Sequence, residues 1–184
     1  MATLKVIEVI GQEPVSLEDM KNYLRVDVTD DDVLISNLIK TARDYIERIT
    51  NRSIVLKRYE YILDDFPNGH IQLPRPPLVS VEQLTYKTID GTEMLYSDYI
   101  VDVEGEPARI IAPNGWPSES LYAVNAVKVT YQAGYSQIPE SLKHAIFMLV
   151  AHWYENRQPF IITERIGKEV EFAVNALLYP FRVF

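Results

Sequence analysis

The sequence predicts an α+β protein in which N- and C-terminal helices form a helical bundle and a small antiparallel β domain is inserted between them. Apolar residues recur with a helical period before residue 53. They then alternate with polar residues up to residue 135, and recur with a helical period again after Pro139. We therefore divide the 184 residues into an N-terminal helical part, 1–53, a β insertion, 54–135, and a C-terminal helical part, 136–184, that packs with the first.

Two helices are predicted in the N-terminal part, each behind a capping residue. Ser16 is followed three residues later by Asp19, the spacing of a capping box, and the first helix runs to about Leu24. Thr29 and Asp32 repeat this spacing ahead of the second helix. The second helix has an apolar stripe of helical period, formed by Leu34, Ile35, Leu38, Ile39, Ala42, Ile46 and Ile49.

The β insertion is predicted from β-branched and aromatic residues that alternate with polar ones. Its six strands cover residues 55–63, 71–73, 79–88, 99–103, 108–111 and 124–131. Asp90-Gly91 predicts a hairpin turn, because glycine accepts the positive φ that such turns require. Short strands that follow one another closely between turns favour a small antiparallel sandwich or a barrel-like unit.

The helix that starts at Pro139 is apolar nearly all round. One stripe contains Leu142, Ala145, Ile146, Leu149 and Trp153, and the other faces carry Phe147, Met148, Val150 and Tyr154. A helix of this kind must be buried on several sides, and we expect part of that burial to come from another subunit. Phe147, Met148, Val150 and Tyr154 are therefore predicted subunit-interface residues. A last helix over residues 170–178 ends before Pro180.

The end of the chain is unusually apolar. Chain termini are commonly polar and frayed, whereas this one combines aromatic, aliphatic and basic side chains. The segment is therefore expected to be docked, either on its own helix 170–178 or on a partner. The candidate partner-binding residues are Tyr179, Phe181, Arg182, Val183 and Phe184.

Charge and composition exclude several classes of protein. The net charge of −8, from 18 basic and 26 acidic side chains, disfavours tight binding to nucleic acid or to an anionic membrane. The absence of cysteine removes disulfides, thiol nucleophiles and Cys-type zinc sites. No signal peptide and no membrane-spanning run is predicted, so the expected protein is soluble and made inside the cell.

No catalytic or metal-binding constellation is found in the sequence. His152 and Glu155 have a spacing that metal sites use on one helix face, but no second copy of the motif completes a site. The run of acidic residues from Asp30 to Asp32 is interpreted as first-turn helix capping. Neither a G-x-S-x-G motif nor a phosphate-binding glycine loop occurs. We predict no catalytic residues, no metal and no cofactor.

Short motifs in a fixed order carry a family resemblance. They are PVSLE from Pro14, LRVD from Leu24, ARDYIE from Ala42, LPRPPL from Leu73, VTYQAGY from Val129, AHWYENR from Ala151 and LLYPFR from Leu177. Together they resemble the head–tail connector (head-completion or adaptor) family of tailed bacteriophages, and the β insertion resembles that of its longer members.

The resemblance implies a non-enzymatic structural protein of a virion or prophage, with no catalytic residues to carry over. Members form a ring, commonly of about twelve copies, beneath the portal protein, where they join head to tail and let DNA pass through the channel. Portal, tail and head-closure proteins are the implied partners. The implied location is the head–tail interface of a virion assembled in the bacterial cytoplasm.

A ring would also give a role to charges on the second helix. Arg43, Glu47 and Arg48 mix both signs, as suits a ring contact in which one surface meets a different surface of the next copy. A solvated helix face is the alternative for these residues. For the whole chain, the alternatives are a small hydrolase or ligand-binding domain with a pocket between helices and β unit, and a host adaptor protein. Ring formation in solution separates these alternatives from the connector.

Overall fold

The computed structural model of the chain is α+β, with helices and antiparallel sheets. It describes residues 2–156 and 164–183, without the side chains of 164–169. None of the helices in these described stretches combines the length and the apolar character needed to cross a membrane.

The chain forms two compact units, and each unit draws on two separate stretches of sequence. The β unit comprises Met1–Gly11 and Val55–Tyr135, and the helical unit comprises Gln12–Ile54 and Ser136–Phe184. The sequence passes three times from one unit to the other, after residues 11, 54 and 135.

Helices from both ends of the sequence build the helical unit. They are α1 (Leu17–Leu24), α2 (Asp32–Thr50), α3 (Glu140–Glu155) and α4 (Glu164–Leu178), followed by a 3-10 turn (Tyr179–Phe181). Helix α3 contacts α1, α2 and α4, so it has neighbours on several sides. Its buried residues include Leu142, Ala145, Ile146, Leu149 and Val150.

The two predicted helix starts have different outcomes. At α1 the Ser16 hydroxyl accepts a hydrogen bond of 3.0 Å from the Asp19 amide, which confirms Ser16 as the cap. The prediction for Thr29 is wrong, because α2 begins at Asp32 with Asp31 at the capping position. The Asp31 carboxylate does not cap its own helix and instead accepts a hydrogen bond of 2.6 Å from the Tyr154 hydroxyl.

All strand pairs of the β unit are antiparallel. The larger sheet has the order β1 (Ala2–Val9), β2 (Lys57–Leu63), β8 (Val127–Ala133), β4 (Leu78–Lys87) and β5 (Glu93–Leu95). The smaller sheet has the order β3 (His70–Gln72), β7 (Arg109–Ile111) and β6 (Ile100–Asp102).

Residues from both sheets share one apolar core. Ile71 and Ile110 of the smaller sheet belong to the same buried cluster as Leu84 and Tyr131 of the larger one. The Tyr131 ring stacks on Tyr59 at 5.5 Å between centroids, and its hydroxyl donates a hydrogen bond of 2.6 Å to the Pro74 carbonyl. Burial of this hydroxyl raises the pKa of Tyr131 far above its ordinary range, so the side chain stays neutral.

The structure differs from the sequence analysis at the N-terminus. Residues 2–9 form strand β1, which pairs with β2, so residues 1–11 belong to the β unit and not to the helical part predicted over 1–53. The reason is the pairing itself, in which Leu4 lies opposite Tyr61 from a distant part of the sequence. Strand β5 was also not predicted, since every one of its residues is exposed and it has no burial pattern. The turn predicted at Asp90-Gly91 is present between β4 and β5, with Gly91 at φ +86.

Two glycines pack closely where the sequence enters and leaves the β unit. The Gly11 amide donates a hydrogen bond of 2.9 Å to the Leu56 carbonyl. Gly134 has φ +144, and a Cβ atom there would lie 2.6 Å from both the Leu56 Cα and the Val55 carbonyl oxygen. Backbone therefore touches backbone at this point, and only glycine fits at position 134.

Candidate assembly surfaces

The described residues show no arrangement suited to catalysis by a metal. Among the side chains that the structure describes, those of residues 2–156 and 170–183, no three histidines or carboxylates converge as ligands of one ion would. The His152 ring nitrogen lies 3.3 Å from the amide nitrogen of Asn156, one turn further along the chain. The described side chains that are open to solvent can therefore act as contact surfaces.

Arg43 is held inside its own subunit. Its side chain is 9% exposed, and its guanidinium donates to both carboxylate oxygens of Glu13 at 2.9 and 3.1 Å. Burial acts against the charged form of Arg43, but Glu13, Asp44 and Glu47 outweigh it and raise the pKa of the side chain. These bonds use the donors of Arg43 within its own subunit, so its predicted contact with another subunit would have to be made by the small exposed part of the side chain.

Glu47 is likewise satisfied within the helical unit. One carboxylate oxygen accepts a hydrogen bond of 2.8 Å from the buried Ile54 amide, and the other lies 3.7 Å from Arg43. Glu47 is 7% exposed, so it offers little surface to a second chain. Arg43 and Glu47 together bind Glu13 and Ile54, which lie next to the points, after residues 11 and 54, where the chain crosses from one unit to the other.

Arg48 differs from its two neighbours. It is exposed, and its guanidinium carbon lies 5.9 Å from the centroid of the Tyr45 ring, within the range of a cation–π contact. Of the three predicted interface charges on α2, Arg48 is the one with an open surface.

The predicted apolar interface residues of α3 fall into two groups. Val150 has no exposed surface in the single subunit, so the predicted interface contact of α3 would be carried by its neighbours. Phe147, Met148 and Tyr154 are half-buried, and Phe147 packs on the Tyr23 ring at 4.9 Å between centroids. These three side chains retain surface for a further contact.

The end of the chain docks on the end of α2. Arg52 donates a hydrogen bond of 2.6 Å to the Phe181 carbonyl, and the Val183 amide donates one of 3.0 Å to the Thr50 carbonyl. Arg182 donates one of 2.8 Å to the Asn175 side chain. The tail was expected to dock either on its own subunit or on a partner. In the structure, residues 181–183 dock on their own subunit. Phe184 lies outside the described residues.

An apolar surface that the sequence analysis did not single out lies on α4. Phe172 is 78% exposed, and Tyr179, the first residue of the 3-10 turn that follows α4, is 70% exposed. Tyr179 was predicted as a contact residue, whereas Phe172 was missed because it lies off the main apolar stripe. A large aromatic residue two turns before another was the signal that could have found it.

The family model described as head completion protein matches residues 13–173. The chain belongs to the head completion protein family. The connector resemblance inferred from the short motifs is thereby confirmed, and the protein has a structural head–tail connector role and is not an enzyme.

Solved structures of similar fold come from gene transfer agent (GTA) particles. A chain in the neck of an empty GTA particle, computed with C6 symmetry, has a TM-score of 0.81 at 20% identity, covering 99% of this chain and 96% of that chain. A chain in the virion of the native particle has a TM-score of 0.79 at 19% identity, with coverages of 98% and 95%. A chain in the neck of the native particle, computed with C12 symmetry, has a TM-score of 0.75 at 19% identity, with coverages of 99% and 96%.

No curated protein matches the chain in sequence. The structural matches span nearly the full length of both compared chains. This head completion protein therefore shares its whole fold with chains of GTA necks.

Proposed function

We propose that this head completion protein forms a ring of about twelve copies beneath the portal, joins head to tail there, and surrounds a channel through which DNA passes. The observation that carries the proposal is the full-length likeness, at TM-scores of 0.75 to 0.81, to chains of necks with C6 and C12 symmetry. Family membership over residues 13–173 supports the same assignment. The location that follows is the head–tail interface of a virion, assembled in the host cytoplasm from a phage or prophage genome.

The charge of both units suits a channel protein that does not hold DNA. The β unit carries 7 basic and 12 acidic residues, and the helical unit carries 11 and 14, which gives net charges of −5 and −3. Duplex affinity depends on clustered Lys and Arg that displace counterions from phosphates. Acidic walls instead repel the duplex and let it slide.

Portal, tail and head-closure proteins are the proposed partners. Half-buried Phe147, Met148 and Tyr154 and exposed Arg48 supply surface in the helical unit for these contacts or for neighbouring copies. The docked tail supports a role within the subunit for residues 181–183, so Tyr179 is the tail residue best placed for a partner.

A hydrolase or ligand-binding role has less support. A pocket of about 420 Å³ beside α1 is lined by Leu17, Glu18, Lys21, Asn22, Val26, Asp27 and Asp32. Neither a serine nor a histidine is among these residues, and the Lys21 ammonium is bound to Asp32 at 2.6 Å. The pocket therefore lacks the paired serine and histidine of a serine hydrolase.

The proposal is tested in the particle that encodes this chain. Removing its gene should give DNA-filled heads and free tails that do not join, and supplying the wild-type chain in trans should restore joined particles. Electron microscopy of the restored particles should place the chain in the neck as a ring. Normal joined particles in the absence of the chain would contradict the proposed role.

A further inference from the structure

Two Asn-Gly pairs lie in loops of the β unit. Asn68-Gly69 stands between β2 and β3, and Asn114-Gly115 stands between β7 and β8. Asparagine is chemically labile, above all before glycine, because the glycine nitrogen has no neighbouring side chain to keep it from the asparagine side-chain carbonyl. All four residues are exposed. The sequence gives both pairs the same reactivity, so any difference between them comes from the fold.

Both reacting groups of the Asn114-Gly115 pair are held by hydrogen bonds. The Asn114 side-chain nitrogen donates one of 3.1 Å to the Asp98 carboxylate. The Gly115 amide donates one of 3.1 Å to the Ala112 carbonyl, which closes a turn. The Gly115 carbonyl in addition accepts one of 3.0 Å from the Tyr96 hydroxyl. Attack by the Gly115 nitrogen on Asn114 would have to break these bonds first.

The Asn68-Gly69 pair is not held in this way. The strand register places Gly69 opposite Ala112, one step beyond the last residue pair of β3 and β7. The Ala112 carbonyl, however, receives the Gly115 amide. Within the described part of the chain, neither the Gly69 amide nor the Asn68 side chain forms a hydrogen bond. A Cβ atom at Gly69 would meet nothing within 4 Å, so the glycine backbone is also unshielded.

We propose that Asn68 is a site of spontaneous deamidation in the folded protein and that Asn114 is protected from it. The Gly69 nitrogen loses its proton and bonds to the side-chain carbonyl carbon of Asn68. The bond from that carbon to the side-chain nitrogen breaks, and this nitrogen takes up a proton and leaves as ammonia. The product is a cyclic imide, and the reaction needs neither an oxidant nor a reductant.

Water then opens the imide in one of two ways. Cleavage between the Gly69 nitrogen and the former side-chain carbon gives aspartate at position 68. Cleavage between the same nitrogen and the main-chain carbonyl carbon gives isoaspartate, in which the main chain runs through the former side chain. Isoaspartate therefore lengthens the main chain by a methylene group, whereas aspartate only adds a negative charge.

The lengthened chain would act on the aromatic cluster of the β unit. The Gly69 carbonyl accepts a hydrogen bond of 3.0 Å from the Trp116 indole nitrogen. The Trp116 ring stacks on Phe66 at 4.8 Å between centroids, and both rings pack against the core that the two sheets share. Isoaspartate at position 68 moves the carbonyl that holds Trp116, so it should weaken this packing, and aspartate should not.

Peptide mass spectrometry of the full folded chain, incubated at mildly alkaline pH, tests the proposal. Asn68 should deamidate about tenfold or more faster than Asn114, because hydrogen bonds oppose the reaction at Asn114 alone. The product should contain isoaspartate, which direct hydrolysis of the side chain does not give. In guanidinium chloride, where the fold is lost, the two rates should become similar. Equal rates in the folded chain, or aspartate without isoaspartate, would overturn the proposal.

Two variants separate the causes. Asp98→Ala removes the acceptor of the Asn114 side chain and should raise the deamidation rate at Asn114 while leaving the rate at Asn68 unchanged. Asn68→Gln is the matched control and should abolish modification at position 68 without lowering the melting temperature, since the Asn68 side chain is exposed. A rate at Asn114 that stays at the wild-type value in Asp98→Ala would contradict protection by this bond.

The structural consequence has its own measurement. Chromatography separates the aged chain with isoaspartate at position 68 from the unmodified chain, and the aged fraction should melt at a lower temperature. Asn68→Asp, which has the added charge but the normal main chain, should melt with the wild type. An isoaspartate fraction that melts with the wild type would contradict the expected effect on Trp116. These outcomes do not depend on the neck role, which the gene-removal experiment tests separately.

Discussion

The chain crosses from one unit to the other after residues 11, 54 and 135, and the two units hold the residues next to these points by different physical means. On the β side, Gly11 and Gly134 bring backbone against Val55 and Leu56 with no space for a side chain. On the helical side, Arg43 and Glu47 of α2 hold Glu13 and Ile54 through charge-assisted hydrogen bonds. The first device depends on shape and the second on buried charge.

This difference predicts how each unit responds to substitution. The close packing at the glycines is disrupted by any added atom, because moving the neighbouring backbone aside costs free energy. The buried ion pairs of Arg43 are disrupted when one partner is removed, because the remaining charge stays desolvated. Exposed charges on the larger sheet, such as Arg58 with Glu8 and Glu82, share neither sensitivity.

The largest expected effect is that of Gly134→Ala. The new Cβ would meet the Leu56 Cα and the Val55 oxygen at 2.6 Å, in a backbone conformation that L-residues rarely adopt. We expect a loss of about 3 kcal/mol or more in the free energy of unfolding, measured by urea denaturation. Gly105→Ala, with nothing within 4 Å of the new atom, should change it by no more than about 0.5 kcal/mol. Equal effects at both positions would show that the close packing is relaxed in solution.

Removal of Arg43 is expected to be the next most damaging change. Arg43→Ala leaves Glu13 and Glu47 without their cation and should cost about 2–3 kcal/mol of folding free energy, less than for a fully buried pair because the Glu13 side chain is 28% exposed. Arg58→Ala removes a cation whose side chain is 35% exposed and should cost no more than about 1 kcal/mol. Chemical denaturation of both variants measures the contrast, and similar losses would remove the distinction between buried and exposed ion pairs here.

A smaller loss is expected from ending the chain after Leu178. The truncated chain loses the bonds from Arg52 to the Phe181 carbonyl and from Val183 to the Thr50 carbonyl. Two hydrogen bonds correspond to about 2 kcal/mol and a fall in melting temperature of about 4–8 °C, measured by calorimetry. Arg52→Ala should give part of this fall. An unchanged melting temperature with lost partner binding would assign the tail to a partner instead.

The smallest expected effect concerns the pH response of Glu82. The hydrogen bond from the Gln132 amide, at 2.6 Å, lowers the pKa of Glu82; partial burial opposes this and Arg58 assists it. A carboxyl whose pKa is lowered on folding stabilises the fold above its unfolded pKa, and this contribution disappears as the pH falls through the folded value. In Gln132→Ala the pKa should rise towards the ordinary value, as NMR titration would measure. An unchanged pKa would assign the shift to Arg58.

Local patterns accounted for the elements that depend on local signals. The Ser16 cap, the Asp90-Gly91 turn and the α2 stripe are each encoded within a few residues and are present, except that Leu34 of the predicted stripe is exposed. Strand β1 is different, because its partner β2 lies some fifty residues away and its apolar residues do not alternate. No pattern within residues 2–9 identifies that partner.

Contact surfaces were harder to predict because they depend on what the fold leaves open. In the sequence, Arg43, Glu47 and Arg48 are all charged residues of α2, and nothing distinguishes them. In the fold, Arg43 and Glu47 are buried by their contacts with Glu13 and Ile54, whereas Arg48 is exposed. Helix α3 has neighbours on several sides, as its apolar faces predicted. These neighbours are three helices of the same unit, whereas part of the burial was expected to come from another subunit. Phe172 of α4, in contrast, is 78% exposed.

The passage of the sequence between units also constrains the order in which the protein can fold during synthesis. Strand β1 is made before α1 and α2, yet its sheet needs β8, which lies between β2 and β4 and is made after both. Helices α1 and α2 must wait in turn for α3, which follows β8 in the sequence. Neither core can close until most of the chain has left the ribosome, and such long-range pairing is slow. A nascent chain stalled before residue 127 would expose apolar surface from both units, so we expect it to be the form most dependent on chaperones.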